Sequence, residues 1–370
     1  TAQLGEFIYP SEVSMPTYKP TLNYNKKQLK RAMEAISNAK KPLLYIGGGA
    51  ILSNCGYEIR DLAKKLNIPA VETLMARGVM GDENPLFFGM LGMHGEYAAN
   101  MAAHETDLLI SLGARFDDRV TGRLDEFASK AKVIHIDIDP TSIAKLVVAD
   151  YPIVGDLKLT VEAMIDDSDN YDINDFSNWV ELLKDYREKE PLRYIDTDDL
   201  IKPQWPIQRV GKILGDNAII STDVGQHQMW TAQFFPFSHP RQWITSGGLG
   251  TMGFGLPAAL GAARAFKGTN RVVVNFTGDG SILMNIQELM TCSEYELPVI
   301  NIVLNNNYLG MVRQWQTMFY ENRLAETDLS AQPKFKMLAE AFNCLGYTVS
   351  TKAEFDEAFK DAVEKRKPAM

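Results

Sequence analysis

Two short polar runs have the residue types and spacing to hold a metal and a diphosphate together. Gly278-Asp279-Gly280 closes one apolar stretch, and Asn305-Asn306 closes the next after 24 intervening residues, 281–304. A carboxylate and an amide oxygen are hard ligands suited to Mg²⁺, which keeps positions open for phosphate oxygens. The flanking glycines let backbone N–H groups approach a diphosphate closely. Either run alone is more often a turn, because Gly, Asp and Asn dominate turns for local reasons. Their joint occurrence after two apolar runs carries the cofactor expectation. Two more segments agree with it. Asp223-Val224-Gly225-Gln226-His227-Gln228 follows a third apolar run, the lesser alternative for His227 being a capping or core histidine. Ser246 to Gly255 is too Gly-rich for a regular element and suits backbone pressed against a ligand. A Met beside glycines, as at Met252, is ordinarily gap-filling core.

Such groups must be delivered to one place by a scaffold, and the chain has one. From about Lys26 onward, apolar runs alternate with amphipathic stretches, the pattern of repeated βα units and a mostly parallel sheet. Pro42–Gly49, Pro69–Leu74, Asp107–Phe116 and Lys132–Pro140 read as strands of one sheet. Ala218–Gly225, Arg271–Gly280, Pro298–Asn307 and Gly346–Ser350 read as strands of a second, with helices at Gly253–Phe266 and Asn285–Tyr295. The fold class is therefore α/β, with two doubly wound parallel-sheet domains. Ligands of such sheets lie outside the carboxyl ends of the strands, where the polar runs fall. The expected division is 1–165 for the first domain with an N-terminal linker, 166–199 for an acidic helical linker, and 200–370 for the second domain. In the linker, Trp179, Leu182 and Leu183 are spaced for one helix face.

Composition narrows the classes. At 370 residues, 45% hydrophobic and 23% charged, the chain has material for two cores. A net charge of -9 and a pI near 5.2 argue against a broad surface for nucleic acid or anionic lipid. Three widely spaced cysteines, Cys55, Cys292 and Cys344, form no CxxC pair, so they fit a reducing compartment rather than a disulfide framework or zinc site. No apolar run approaches a membrane span. The chain opens on Thr1, and Lys367-Pro368-Ala369-Met370 reads as the entry to a further strand, so it is expected to be cut at both ends.

The Gly278-Asp279-Gly280 and Asn305-Asn306 pair resembles the thiamin-diphosphate signature. Met90–Gly95 (MLGMHG), Gly113–Gly122 (GARFDDRVTG), Asn285–Leu289 (NIQEL) and Tyr308–Gln316 (YLGMVRQWQ) are together very similar to the acetohydroxyacid synthase catalytic subunit, over nearly the whole chain. The resemblance implies thiamin diphosphate and Mg²⁺, the metal being held by Asp279, Asn306 and the Tyr308 carbonyl. It implies diphosphate and cofactor contacts at Val224, Gly225, Gln226, His227, Gly250, Gly278, Gly280, Ser281 and Met311. Met252 becomes the apolar wedge that bends the cofactor. Arg119 becomes the holder of the second keto acid's carboxylate, a task for a planar bidentate donor. An Arg in so acidic a run would otherwise pair with Asp117 or Asp118. Trp315 becomes the residue that narrows the acceptor pocket in favour of 2-ketobutyrate, though a lone Trp is more often core.

The first sheet resembles the family's central domain, which binds FAD in a structural role. The positions carried over are Gly48, Thr73, Leu74, Met93, His94, Gly113, Arg115, Asp117, Asp137 and Asp156. The implied reaction decarboxylates pyruvate on thiamin diphosphate and transfers the hydroxyethyl unit to pyruvate or 2-ketobutyrate, in valine, leucine and isoleucine biosynthesis. The family's activating glutamate belongs to an N-terminal pyrimidine-binding domain that should precede Thr1. The segment alone should then be inactive, and its parent a homodimer or tetramer with a small regulatory subunit. A cytoplasmic location is implied, or an organellar one in a eukaryote. The rivals are another thiamin-diphosphate 2-keto acid enzyme, of the pyruvate oxidase or glyoxylate carboligase type, and a non-catalytic nucleotide-binding module.

Overall fold

The computed structural model describes residues 5–13, 15, 17 and 19–370; of the expected first domain, residues 1–4, 14, 16 and 18 lie outside the described residues. The first sheet has six parallel strands: β1 (Pro42–Ile46), β2 (Ala70–Glu72), β3 (Phe87–Met90), β4 (Leu108–Leu112), β5 (Lys132–Asp137) and β6 (Tyr151–Val154). Their order is β3-β2-β1-β4-β5-β6, a doubly wound sheet whose direction of winding switches between β1 and β4. Strands β1 to β4 are buried at every position, because helices cover both faces of such a sheet and leave no face for polar side chains.

The flanking helices follow local rules. In Lys26–Asn38 the Asn25 side chain accepts the N–H groups of Lys27 and Gln28, and Leu29, Ala32, Met33 and Ile36 form the buried stripe. Helix Gly56–Leu66 packs on Leu157–Asp167, and Tyr97–Glu105 packs on Ser177–Lys189. Trp179, Val180 and Leu183 of that last helix sit in the first sheet's core, and the Trp179 indole donates to the Pro42 carbonyl at 2.9 Å. The helix of the acidic stretch is thus part of the first core.

The second sheet has four parallel strands, β7 (Ala218–Thr222), β8 (Trp243–Ile244), β9 (Val272–Gly278) and β10 (Val299–Leu304), in the order β10-β9-β7-β8. The strand expected at Gly346–Ser350 does not form. Leu345 makes a single bridge to Ala369, which also bridges Ile300, and Tyr347 donates to the Met370 carbonyl. Residues 348–350 pair with no strand among the described residues. Strands β3, β6 and β8 were absent from the sequence expectation. They are short, and β6 is mostly half-buried, so their apolar runs are too brief to stand out. Among the described residues no helix is long and apolar enough to cross a membrane.

Candidate active site

Strand β9 runs through the middle of the second sheet and ends at Gly278, and register brings the other polar runs to it. Leu304 of β10 lies opposite Gly278, so Asn305 and Asn306 emerge beside Asp279. On the other side Thr222 of β7 lies opposite Phe276, which delivers Asp223 to Gly225 to the same edge. The result is a cleft of about 430 Å³, part of it open to solvent. Val224, Gly225, Gln226, His227, Met252, Gly278, Asp279, Gly280, Ser281, Asn306, Tyr308 and Met311 all line it. Gly250 lies alongside, since a Cβ there would meet Val224 at 3.7 Å.

The cleft holds polar atoms that the protein itself leaves unmatched. His227 is buried, its Nε2 has no partner among the described residues, and burial pushes its imidazole down to about 3, so the ring is neutral. Glycines make room for that ring: a Cβ on Gly225 would lie 2.8 Å from it, and one on Gly278 2.9 Å. Asp279 is 2% exposed. One of its oxygens accepts the Gln332 amide at 2.6 Å, and the other accepts the Gly280 N–H at 3.1 Å. The same Gln332 accepts from Asn305 at 2.8 Å. Asn306 Oδ1 accepts the Tyr308 N–H at 3.0 Å, closing an Asx turn through Asn307 at φ 62°. Ser281 Oγ donates to the Val224 carbonyl at 3.2 Å.

Asp223 is fully buried and accepts the Gly255 N–H at 2.8 Å and the Thr277 hydroxyl at 2.5 Å. Burial raises its carboxyl above the usual range. It fixes the turn that follows Met252. The sequence reading missed this positioning role, and it missed Trp230 and Gln332. Trp230 was recoverable, because it lies one helical turn beyond Gln226 and His227 on helix Gln226–Phe234. Gln332 lies in an irregular stretch and gives no local signal.

Arg119 comes from the first domain, yet its guanidinium lies 5.5 Å from the centroid of Trp315 in the second. Trp315 is one turn beyond Met311 on helix Gly310–Phe319, so one helix serves both the cleft and the stacked Arg. The alternative pairing of Arg119 with Asp117 or Asp118 is not what forms among the described residues. Asp117 instead caps the Arg119 backbone N–H at 3.0 Å and lies 3.7 Å from Arg115.

The first-domain candidates gather at the carboxyl edge of their own sheet. Gly48 follows β1, Thr73 and Leu74 follow β2, Met93 and His94 follow β3, Gly113, Arg115 and Asp117 follow β4, and Asp137 and Asp156 fall at the ends of β5 and β6. Many of their groups are already engaged. The glycine run packs mainly against backbone, since Cβ atoms on Gly47 and Gly49 would meet Gly113 at 2.2 and 2.7 Å, while one on Gly48 would face the Met75 side chain at 3.1 Å. Asp156 caps helix Leu157–Asp167 at the Leu159 N–H, 3.0 Å, and Asp137 accepts the Asp139 N–H at 2.9 Å. The Leu74 carbonyl accepts from Trp243 and the His94 carbonyl from Gln233, both at 2.9 Å. Met93 N–H donates to the Arg119 carbonyl at 2.9 Å. The exception among these candidates is the Thr73 hydroxyl, which is buried without a partner among the described residues. Burial and nearby Arg119 lower the His94 imidazole.

Comparison with known families agrees with this geometry. Residues 29–164 match the model for the central domain of thiamine pyrophosphate enzymes, and residues 223–370 match that for their C-terminal TPP-binding domain. The chain belongs to the thiamine pyrophosphate enzymes. Within that family its relatives include the acetolactate synthase isozyme 3 large subunit of Escherichia coli (strain K12), 44% identical over 97% of this chain and 63% of that protein. The acetolactate synthase large subunit of Haemophilus influenzae is 44% identical over 96% of this chain and 62% of its own length. The acetolactate synthase of Mycobacterium bovis is 45% identical over 92% and 56%. The chain thus spans about 63% of the length of the first of these relatives.

Proposed function

We infer that this chain is the cofactor-bearing part of an acetolactate synthase catalytic subunit, which decarboxylates pyruvate and joins the two-carbon unit to a second 2-keto acid, pyruvate or 2-ketobutyrate. The observation that carries the reading is the convergence of three strand ends on one cleft, with Arg119 and Trp315 stacked beside the helix that lines it.

The donor set fits the cofactor and metal. Asp279, the Asn306 amide oxygen and the Tyr308 carbonyl would hold Mg²⁺ with three oxygen ligands, leaving positions for diphosphate oxygens. Gln332 would have to yield Asp279 to the ion. The unpartnered Nε2 of neutral His227 would donate to a phosphate oxygen, with Gln226, Gly225, Val224, Gly250, Gly278, Gly280 and Ser281 lining the diphosphate's path. Bound thiamin diphosphate supplies a nucleophilic ring carbon and an electron sink for 2-keto acid decarboxylation. Met252 would be the apolar wedge that bends the cofactor, and Met311 would pack beside it. Arg119 would grip the carboxylate of the second keto acid, and Trp315 would limit the width of its pocket.

FAD would lie in a structural role at the β1/β4 switch point, with the free Thr73 hydroxyl as a waiting partner. A second copy of the chain and a small regulatory subunit complete the reading of the assembly. The test is acetolactate formation from pyruvate by the full-length protein with thiamin diphosphate and Mg²⁺, with and without FAD. Acetolactate that depends on all three sustains the reading. Acetaldehyde or peroxide in its place retains the thiamin reading and removes the synthase one.

A further inference from the structure

Arg77 follows β2 in the first domain and is 2% exposed, among the largest fully buried side chains. All three nitrogens of its fork are engaged. Nη1 donates to Glu72 at 3.0 Å, Nη2 donates to both Asp82 oxygens at 2.7 and 3.0 Å, and Nε donates across the domain boundary to the Ala232 carbonyl at 2.9 Å. The guanidinium lies between the rings of Phe87 and Phe237, 5.1 Å from each centroid. The Ala232 carbonyl needs such a donor. It belongs to the last turn of helix Gln226–Phe234, and the residue four positions on is Pro236, which has no N–H to give. A cation at that end also complements the helix dipole.

The other end of the same nine-residue helix faces the cleft, where Gln226, His227 and Trp230 line it. Anchoring one end of so short a rod fixes the other. Asp82 adds a second tie, donating its own N–H to the Phe237 carbonyl at 2.8 Å. Buried charge is a poor source of stability, since well-packed apolar groups of the same volume often serve as well or better. What a fork held at all three nitrogens does supply is a fixed direction.

We propose that Arg77 is a positioning residue: held by Glu72 and Asp82, it clamps the end of helix Gln226–Phe234 and thereby sets Gln226 and His227 against the diphosphate. This rests on the thiamin-diphosphate reading of the cleft. Arg77 touches neither cofactor nor substrate, so its effect is on cofactor affinity more than on turnover once the cofactor is bound.

The experiment titrates thiamin diphosphate with Mg²⁺ into the full-length protein, following tryptophan fluorescence, to which Trp230 contributes from the cleft wall. Arg77→Lys and Arg77→Met raise the Kd by about tenfold or more, while kcat at saturating cofactor falls less than the Kd rises. Met164→Ala, a cavity in the first core on a different helix, lowers the Tm and leaves the Kd unchanged. If Arg77→Met does not fold, Asp82→Asn, which removes the charge and one of the two oxygens that accept from Nη2 and keeps the Glu72 pair, carries the same expectation. Folded Arg77 variants that bind as tightly as the unsubstituted protein overturn the proposal. So does a Met164→Ala variant that weakens binding as much as they do, because loosening anywhere would then suffice. Failure of the unsubstituted protein to bind thiamin diphosphate at all refutes the reading of the cleft, and the proposal falls with it.

Discussion

The two sheets present the same kind of edge and use it differently. Glycines at the second edge clear space for side chains, as Gly225 and Gly278 do for His227, and a buried ring nitrogen is left unmatched. At the first edge Gly47 and Gly49 clear space for the backbone at Gly113, and Asp117, Asp137 and Asp156 are spent on caps and turns. Buried polar groups without partners are costly, so a protein that retains them at an edge is built to receive something there. By that measure neither edge is fully satisfied among the described residues: His227 Nε2 is unmatched at the second, and the Tyr45, Thr73 and Thr121 hydroxyls and His135 Nδ1 are unmatched in the first domain, so the difference lies in the glycines, which open one edge and close the other.

The most severe way to break the contrast is to remove matching carboxylates from the two edges. Asp279→Asn should reduce acetolactate formation on the order of a thousandfold, equivalent to about 4 kcal/mol, through loss of metal binding. Asp137→Asn should cost less than about tenfold, because its carboxylate serves a local turn. Equal losses in the two assays would erase the distinction. Next in size is Gly278→Ala. The added methyl would meet His227 Nδ1 at 2.9 Å, backed by a buried ring that has nowhere to go. Overpacking of this kind costs about 1–3 kcal/mol. The loss should register both as a lower Tm and as weaker thiamin diphosphate binding.

The contrast also explains what could be read from the sequence. Runs such as Val272–Gly278 and Val299–Leu304 are seven and six residues long and mostly apolar, so the strands and the polar residues after them stood out, even though β10 lies at an edge of its sheet. Strand β8, two residues long at an edge, did not. The helix at Ser177–Lys189 was legible as a helix, but its acidic surroundings concealed that Trp179 and Leu183 belong to the first core. In the cleft, residues within a motif were found. Those acting through space were not: Asp223 on Gly255, Gln332 on Asp279, Arg77 on Ala232. Such partners are joined by tertiary packing, and no local spacing encodes them.

A smaller effect comes from a second buried histidine, which like His227 keeps one ring nitrogen without a partner among the described residues. His135 lies wholly buried under the first edge, its Nε2 3.1 Å from the Ala114 carbonyl, and burial lowers its imidazole below 6.5. The folded state therefore keeps the ring neutral while the unfolded chain protonates it. Below pH 6.5 the unfolded state binds more protons, so stability is full above that value and is lost as pH falls toward the depressed folded value. One such group contributes at most about 1.4 kcal/mol per pH unit. His135→Gln should flatten the dependence of Tm on pH below 6.5, and an unchanged slope would assign the acid sensitivity to other groups.

The smallest effect decides whether the first edge does more than fold. Asp156→Ala removes the cap on helix Leu157–Asp167 and should cost about 1 kcal/mol, lowering the Tm by about 2–4 °C. Asp156→Ser keeps an oxygen able to accept the Leu159 N–H, so it should restore most of that stability. Flavin affinity, measured by retention of FAD fluorescence, then separates the two roles. If Asp156→Ser binds FAD as the unsubstituted protein does, the carboxylate is a cap and nothing else. If it folds normally yet loses flavin, Asp156 also holds a ligand hydroxyl, and the first edge is a binding site whose polar groups are shared between the helix and the cofactor.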